Sequence, residues 1–300
     1  MTGAIALPYR IGARTLWRVR RRLRRVGLTL EQALGGGVPV LPPAEGDGYL
    51  VTSLPAAALD PLLRQHPRLR PFARQRYRRC YASLEGTFDD YLAGFSSKSR
   101  STLKRKVRKM ADASGGTLDV RCYRSPEDVE AFHVHARTVS ARSYQERLLD
   151  AGLPASEAAV GEMRELARRD AMRGWILFVE GRPVSYLYAP AQGGTLIYAY
   201  LGYDPEFAPL SPGTVLQYEA MRQLFAERRF ALFDFTEGEG QHKSLFSTGE
   251  VECVDLLLLR PTLANLLVGA SLNGFDAAVA LAKRAVHGAG LESLARRIRR

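Results

Sequence analysis

The chain has 300 residues, 46% of them hydrophobic, and a formal net charge of +12. That length buries one large core or two modest ones. Its three cysteines, Cys80, Cys122 and Cys253, are odd in number, far apart and without a CxxC, which indicates neither a disulfide framework nor a zinc site and fits a reducing cytoplasm.

Residues 1–25 hold eight Arg and no acid. Leu16, Val19, Leu23 and Val26 recur at offsets of 3, 7 and 10, which predicts one face of a basic helix with Trp17 beside it. Such a helix fits peripheral contact with an anionic membrane through residues 10–26. The segment lacks the uncharged apolar stretch and cleavage site of a secretory signal. No apolar run reaches the ~18 residues of a spanning helix. Residues 33–48, rich in Gly and Pro, read as a linker.

Residues 49–116 read as a small α/β lobe: the strand YLVTSL, a helix over 55–65, the Arg-rich strand RQRYRRCYASL, a short helix ending near Gly94, and a helix over 99–110 that stops at Gly115-Gly116. The run 98–109 carries seven Lys or Arg and no acid. Basic runs attract polyanions.

From residue 117 the elements follow closely. The strand 117–124 leads into a helix signalled by Ser125-Pro126-Glu127-Asp128, with Ser as N-cap and acids against the dipole. Val129, Phe132, Ala136 and Val139 form its buried face. A second helix ends at Gly174. Strands at 175–180, 182–190 and 195–203 follow, joined by Glu180-Gly181 and Gly193-Gly194. Pro212-Gly213 opens an amphipathic helix. Then come strand 230–235, a Gly-bounded segment with His242 and Lys243, and strand 251–259. Beyond Pro261 two apolar helical segments form a tail that packs on the body or supplies a homodimer contact. The expected divisions are 1–48, 49–116, 117–260 and 261–300. The order predicts an α/β fold, a mixed, mostly antiparallel sheet with helices on both faces.

This order resembles the GNAT N-acetyltransferase superfamily. The residues that carry the resemblance are Ser99-Arg100…Leu103-Lys104-Arg105-Lys106, Tyr203-Asp204, Ser211-Pro212-Gly213 and Asp234-Phe235-Thr236-Glu237-Gly238…His242-Lys243, over roughly residues 85–260. More narrowly it looks like the CelD-type branch of cellulose biosynthesis, related to FemAB-like transferases. The resemblance implies acyl-coenzyme A, acetyl or another acyl, lying between two splayed strands with its pyrophosphate on a helix N-terminus. Such a terminus offers unpaired N–H donors and partial positive charge, and glycine allows close approach. The expected cofactor contacts are Tyr203, Leu210, Ser211, Gly213 and Thr214, with Arg100 and Lys104 on the facing wall. The turn departs from the superfamily's usual Q/RxxGxG/A: no basic residue opens it, and Pro212 removes a donor. Alone, Ser-Pro-Gly also reads as a helix cap.

Acyl transfer to an amine needs a neutral nucleophile, a partner for the developing oxyanion and a proton path. Asp234, Glu237, His242 and Lys243 are the candidates, with Tyr144 on the acceptor side. The near-neutral titration of an ordinary imidazole suits His242 to a base role; Lys243 suits a phosphate or developing charge. His133 and His135 stand two apart on a helix, so no metal site is read. The expected activity is acyl-coenzyme A-dependent N-acyl transfer to a small-molecule or glycan amine, such as an amino sugar or a polysaccharide or lipid-linked precursor. The expected location is the cytoplasm, peripheral at the inner membrane. The alternatives are an aminoacyl-tRNA-dependent FemAB-like peptidyltransferase and a non-enzymatic basic adaptor. Nucleic acid is not the expected partner, because the run 98–109 lacks interleaved aromatics.

Overall fold

The structure, a computed structural model, describes residues 2–11, 14–43, 45–143, 152–237 and 241–288, with the backbone alone at 73, 241, 242 and 283–288. The first half runs β1 (Thr2–Ile11), β2 (Arg14–Gly27), α1 (Leu30–Leu34), β3 (Gly48–Pro55), α2 (Leu59–Gln65), β4 (Arg70–Ser83), α3 (Phe88–Ala93), α4 (Ser97–Asp112), β5 (Asp119–Tyr123) and α5 (Val129–Ser140). The second runs α6 (Glu157–Arg168), β6 (Met172–Val179), β7 (Arg182–Gln192), β8 (Thr195–Ile197), β9 (Tyr200–Tyr203), α7 (Pro212–Glu227), β10 (Leu232–Asp234), α8 (Gln241–Phe246), β11 (Gly249–Leu259) and α9 (Leu263–Gly288). Two compact units result, Met1–Tyr77 with Val251–Arg300, and Arg78–Glu250. The basic helix α4 therefore belongs with the strands that follow it.

In the first unit the expected N-terminal helix is instead a β-hairpin. β1 and β2 pair antiparallel, with Leu7 opposite Val19 and Tyr9 opposite Trp17. The reason is period two: Trp17, Val19, Arg21 and Leu23 alternate with Arg18, Arg20, Arg22 and Arg24. A strand separates these sets onto opposite faces, whereas a helix would ring its apolar stripe with arginines. β3 lies parallel to β2 and antiparallel to β11. The two expected tail segments form one helix, α9. Its Leu272 packs with Leu7, Leu23, Leu257 and Leu259. A Cβ at Gly269 would sit 2.5 Å from the Phe72 ring, so glycine lets that ring lie against the helix.

In the second unit the strand order is β4-β10-β8-β7-β6-β5, with β9 branching from β7. β10 is parallel to β8, and the β5-β6-β7 ladders are antiparallel. Glu180 and Gly181 both take positive φ (50° and 78°), as a tight hairpin turn requires. Alternate residues of β6 and β7 feed two cores. Ile176, Phe178 and Tyr186 pack under α5 and α6 with Phe132 and Met163. Trp175, Leu177 and Leu187 pack with Leu216 and Leu224 of α7 and Leu103 and Met110 of α4. Each such side chain contributes ~1.5–3 kcal/mol when fully buried. The expected mixed, mostly antiparallel sheet with helices on both faces is thus present.

Several local boundaries differ from expectation. α5 starts at Val129 rather than at Ser125, because the Asp128 carboxylate accepts the Ser125 amide at 3.1 Å and holds a turn there. α6 stops at Arg168, and Asp170 turns the chain at φ 52°. The third strand is interrupted: β8 stops at Ile197 and β9 begins at Tyr200.

Candidate functional site

That interruption builds a notch. Leu232, Phe233 and Asp234 register against Thr195, Leu196 and Ile197, and the Tyr198 amide donates to the Asp234 carbonyl at 2.9 Å. Past this rung the partners change. Ala199 donates to Tyr188 at 3.2 Å, and β9 continues along β7. Phe235 donates to Cys80 at 3.0 Å, following β4. The two backbones part, with β9 on one side and Phe235–Glu237 on the other.

At the end of β9 the chain makes a short 3₁₀ turn, Pro205–Leu210, and Ser211 enters the left-handed region (φ 56°, ψ 50°) before α7 begins. The Ser211 hydroxyl makes no cap, so this is not an ordinary capped start. Thr214 and Val215 return their amides to the Ser211 carbonyl at 3.0 and 3.1 Å. Pro212 has no N–H, and the Gly213 amide has no acceptor among the described residues. The positive end of the helix is left open. A Cβ at Gly213 would stand 3.0 Å from Leu201 Cδ2 and 3.6 Å from Tyr203 Cδ1, so its absence keeps the gap between helix end and β9 clear. Leu210 is half-buried beside it.

Helix α4 borders this turn, but through residues other than those expected. Lys106 Nζ lies 3.5 Å from Thr214 Oγ1, and Lys109 Nζ donates to the Pro209 carbonyl at 3.2 Å. Arg100 turns away and donates to the Ala93 and Phe95 carbonyls, closing the end of α3. Lys104 is exposed. Lys106 and Lys109 flank the stripe Leu103, Val107, Met110, and that flank was the signal that marks them. One turn past Gly213, Gln217 is 1% exposed, and neither polar atom of its amide has a partner among the described residues. Each unsatisfied group costs about 1–3 kcal/mol. An uncapped helix start, an open amide, two ammonium groups and an orphaned amide fit a polar, anionic ligand such as a coenzyme A diphosphate.

On the far wall, Asp234 is fully buried and paired with Arg79 of β4, whose Nε lies 3.2 Å from both carboxylate oxygens. Oδ1 also accepts the Thr236 amide at 2.8 Å, which holds Thr236 at φ 61°. The carboxylate is thereby a structural anchor for the loop. Lys243 of α8 donates to the Glu237 carbonyl, lies 3.5 Å from Thr236 Oγ1 and sits 5.7 Å from the centre of the Tyr198 ring. Burial pulls the Lys243 pKa down, against the opposing pull of Glu237 and Asp234. Burial pushes the Tyr198 phenol far up, so it stays neutral. The Glu237 side chain is exposed. His242 lies on α8, and its side chain falls outside the described residues, as does all of Tyr144.

A separate open groove of about 760 Å³ is lined by Ala141, Arg142, Arg182, Asp204, Pro205 and Glu206. Asp204, next to Tyr203, accepts from Arg142 at 3.0 Å and Arg182 at 2.6 Å. Burial works to raise the Asp204 pKa, but the Glu206 amide and the two guanidiniums outweigh it and hold it below the usual value. Among the described residues no group of three or more His, Cys, Asp or Glu is placed to hold a metal ion.

The stretch that contains α4, the notch, the uncapped turn and Lys243 is also the stretch that comparison picks out. Residues 97–244 match the acetyltransferase (GNAT) domain family. That match supports acyl transfer as the reaction class. The C-terminal domain assigned to a lysylphosphatidylglycerol synthetase from Agrobacterium fabrum is similar in fold, at 12% identity and TM-score 0.50, covering 77% of this chain and 72% of that one. FemX is similar at 12% identity and TM-score 0.50, covering 70% of this chain and 71% of that one. At this identity the likeness is one of fold. No curated protein sequence matches the chain.

Proposed function

We propose that the GNAT domain transfers an acyl group from acyl-coenzyme A, acetyl or longer, to the amine of a small molecule or glycan. The observation that carries this is the uncapped start of α7, where the open Gly213 amide sits in a turn whose Thr214 and Pro209 are reached by Lys106 and Lys109. These groups would hold the diphosphate, and the thioester would supply the activated acyl group. Within the notch the Lys243 ammonium favours negative charge developing on the acyl oxygen. Asp234, tied to Arg79, positions the Thr236–Glu237 segment to which Lys243 bonds. Among the described residues no Cys or Ser stands next to an evident base, which favours direct attack by the amine over a covalent enzyme intermediate. The groove at Arg142, Arg182 and Glu206 offers both signs of charge to an acceptor. An amino sugar or lipid-linked polysaccharide precursor, handled as in CelD-type proteins on the cytoplasmic side of the inner membrane, suits that groove.

Calorimetry with acetyl-coenzyme A and longer acyl thioesters tests this reading. Micromolar binding supports it, and absence of binding to every thioester sinks it. A second reading takes aminoacyl-tRNA as donor. It rests on Lys98, Lys104, Arg105 and Arg108, which α4 exposes to solvent. Binding of RNA with a steep salt dependence, and none of the thioester, would select it.

A further inference from the structure

The first unit carries an apolar surface that the acyl-transfer reading does not use. Residues Leu263–Ala282 of α9 have a mean hydropathy of 1.3, yet only 22% of that window is buried. Leu263, Leu266, Leu267, Ala270, Ala278 and Leu281 recur at 3, 4, 7, 15 and 18 positions from the first and share one exposed face. Leu263 is 75% exposed, Leu267 62% and Leu281 68%. The one charged residue in the window, Asp276, points the other way and pairs with Arg74 at 2.9 Å. The opposite side of the helix is tied down: Asn265 donates to the Asp47 and Arg260 carbonyls, and Leu272 is fully buried in the sheet's core. The helix is therefore long enough to cross a bilayer, but it is held flat on a protein surface with its apolar side outward.

The hairpin extends the same surface. Tyr9 packs edge-on to Phe275 at 5.3 Å and bonds Ser271 at 2.6 Å, so its face of the sheet is the one α9 covers. Trp17 is the cross-strand partner of Tyr9 and shares that face, yet it is 67% exposed. Leu16 and Ile11, each 52% exposed, stand at the same end of the hairpin. Exposed Arg10, Arg14 and Arg18 surround them. An apolar helical face, an exposed indole and a ring of arginines without acids match the interior, interface and headgroups of an anionic bilayer. A second copy fits less well, because pairing this patch with itself would bring two arginine-rich surfaces together.

We propose that this surface, the outer face of α9 with the hairpin end at Trp17, docks the protein on an anionic lipid bilayer.

The test uses the full chain and vesicles of phosphatidylcholine, alone or with about one quarter phosphatidylglycerol. The chain has two tryptophans, and Trp175 is fully buried, so a blue shift on adding vesicles reports Trp17. Expected are co-sedimentation and a blue shift with the anionic vesicles, and weak binding to the neutral ones. Leu267→Glu/Leu281→Glu, at exposed positions, should keep the circular dichroism spectrum and lose binding by tenfold or more. Arg14→Ala/Arg18→Ala should lose roughly tenfold through charge alone. The proposal is overturned if the wild type ignores anionic vesicles, or if both variants bind as it does. A stable wild-type dimer that Leu267→Glu/Leu281→Glu splits would overturn it in favour of a second copy.

Discussion

Arg79 holds both oxygens of Asp234, with Nε 3.2 Å from each and Nη2 closing on Oδ2, and the two side chains are 9% and 1% exposed. A carboxylate engaged in this way has little capacity left to accept a proton from an acceptor amine. Asp234→Ala should therefore act first on stability, taking the carboxylate away from a buried guanidinium at a cost of roughly 3–5 kcal/mol. Arg79→Met combined with Asp234→Leu should recover most of that loss. Urea unfolding of the two variants checks both expectations.

Lys243 should show itself in the pH profile. Its pKa is lowered, chiefly by burial. If its cation assists the reaction, kcat falls as pH rises through a midpoint below the ordinary lysine value of ~10.4. Lys243→Met should remove that alkaline limb and lower kcat by roughly 10²–10³. The stability sign is the reverse of a paired lysine's. Between the lowered folded pKa and the unfolded one, the unfolded chain binds more protons. Stability contributed by this group therefore rises with pH across that window and is flat below it.

The two lysines of α4 separate binding from chemistry. Lys106→Ala/Lys109→Ala should raise the Kd for acetyl-coenzyme A by about tenfold or more, each removing one charge-assisted contact. The value of kcat at saturation should change little. Gly213→Ala should weaken binding in the same direction while the protein stays folded, since Gly213 is helical and the nearest atom to its new Cβ is a Leu201 methyl. Calorimetry on the three forms measures both effects.

Gln217 offers a trade between stability and affinity. Gln217→Met removes two buried polar atoms that lack partners, so Tm should rise by about 2–4 °C per kcal/mol gained. Thioester affinity should fall if the amide meets ligand. Thermal melts with and without acetyl-coenzyme A compare the two: the ligand-induced shift should be smaller in the variant.

Much of the stretch that matches the GNAT domain family was legible because its signals are local. Glu180-Gly181 and Pro212-Gly213 punctuate it, and the stripes of α5 and α7 fit a helix. The N-terminal hairpin was misread because Leu16, Val19, Leu23 and Val26 satisfy a helical spacing by coincidence, while the alternation of Arg18, Arg20, Arg22 and Arg24 carried the true period. The choice between Arg100 or Lys104 and Lys106 or Lys109 depends on how α4 is rotated against α7, which packing sets. The partner of Asp234 lies 155 residues away, and no local pattern announces it.

The break at Tyr198–Ala199 has one more consequence. A notch opened by two diverging backbones owes its shape to hydrogen-bond ladders, so changes of side-chain size along it leave it standing. Its walls can then be re-cut independently of the scaffold. If a thioester lies there, Leu201, Tyr198 and Phe235 become a ruler for acyl length, to be lengthened or shortened by substitution while the common handle of the donor stays seated at Gly213.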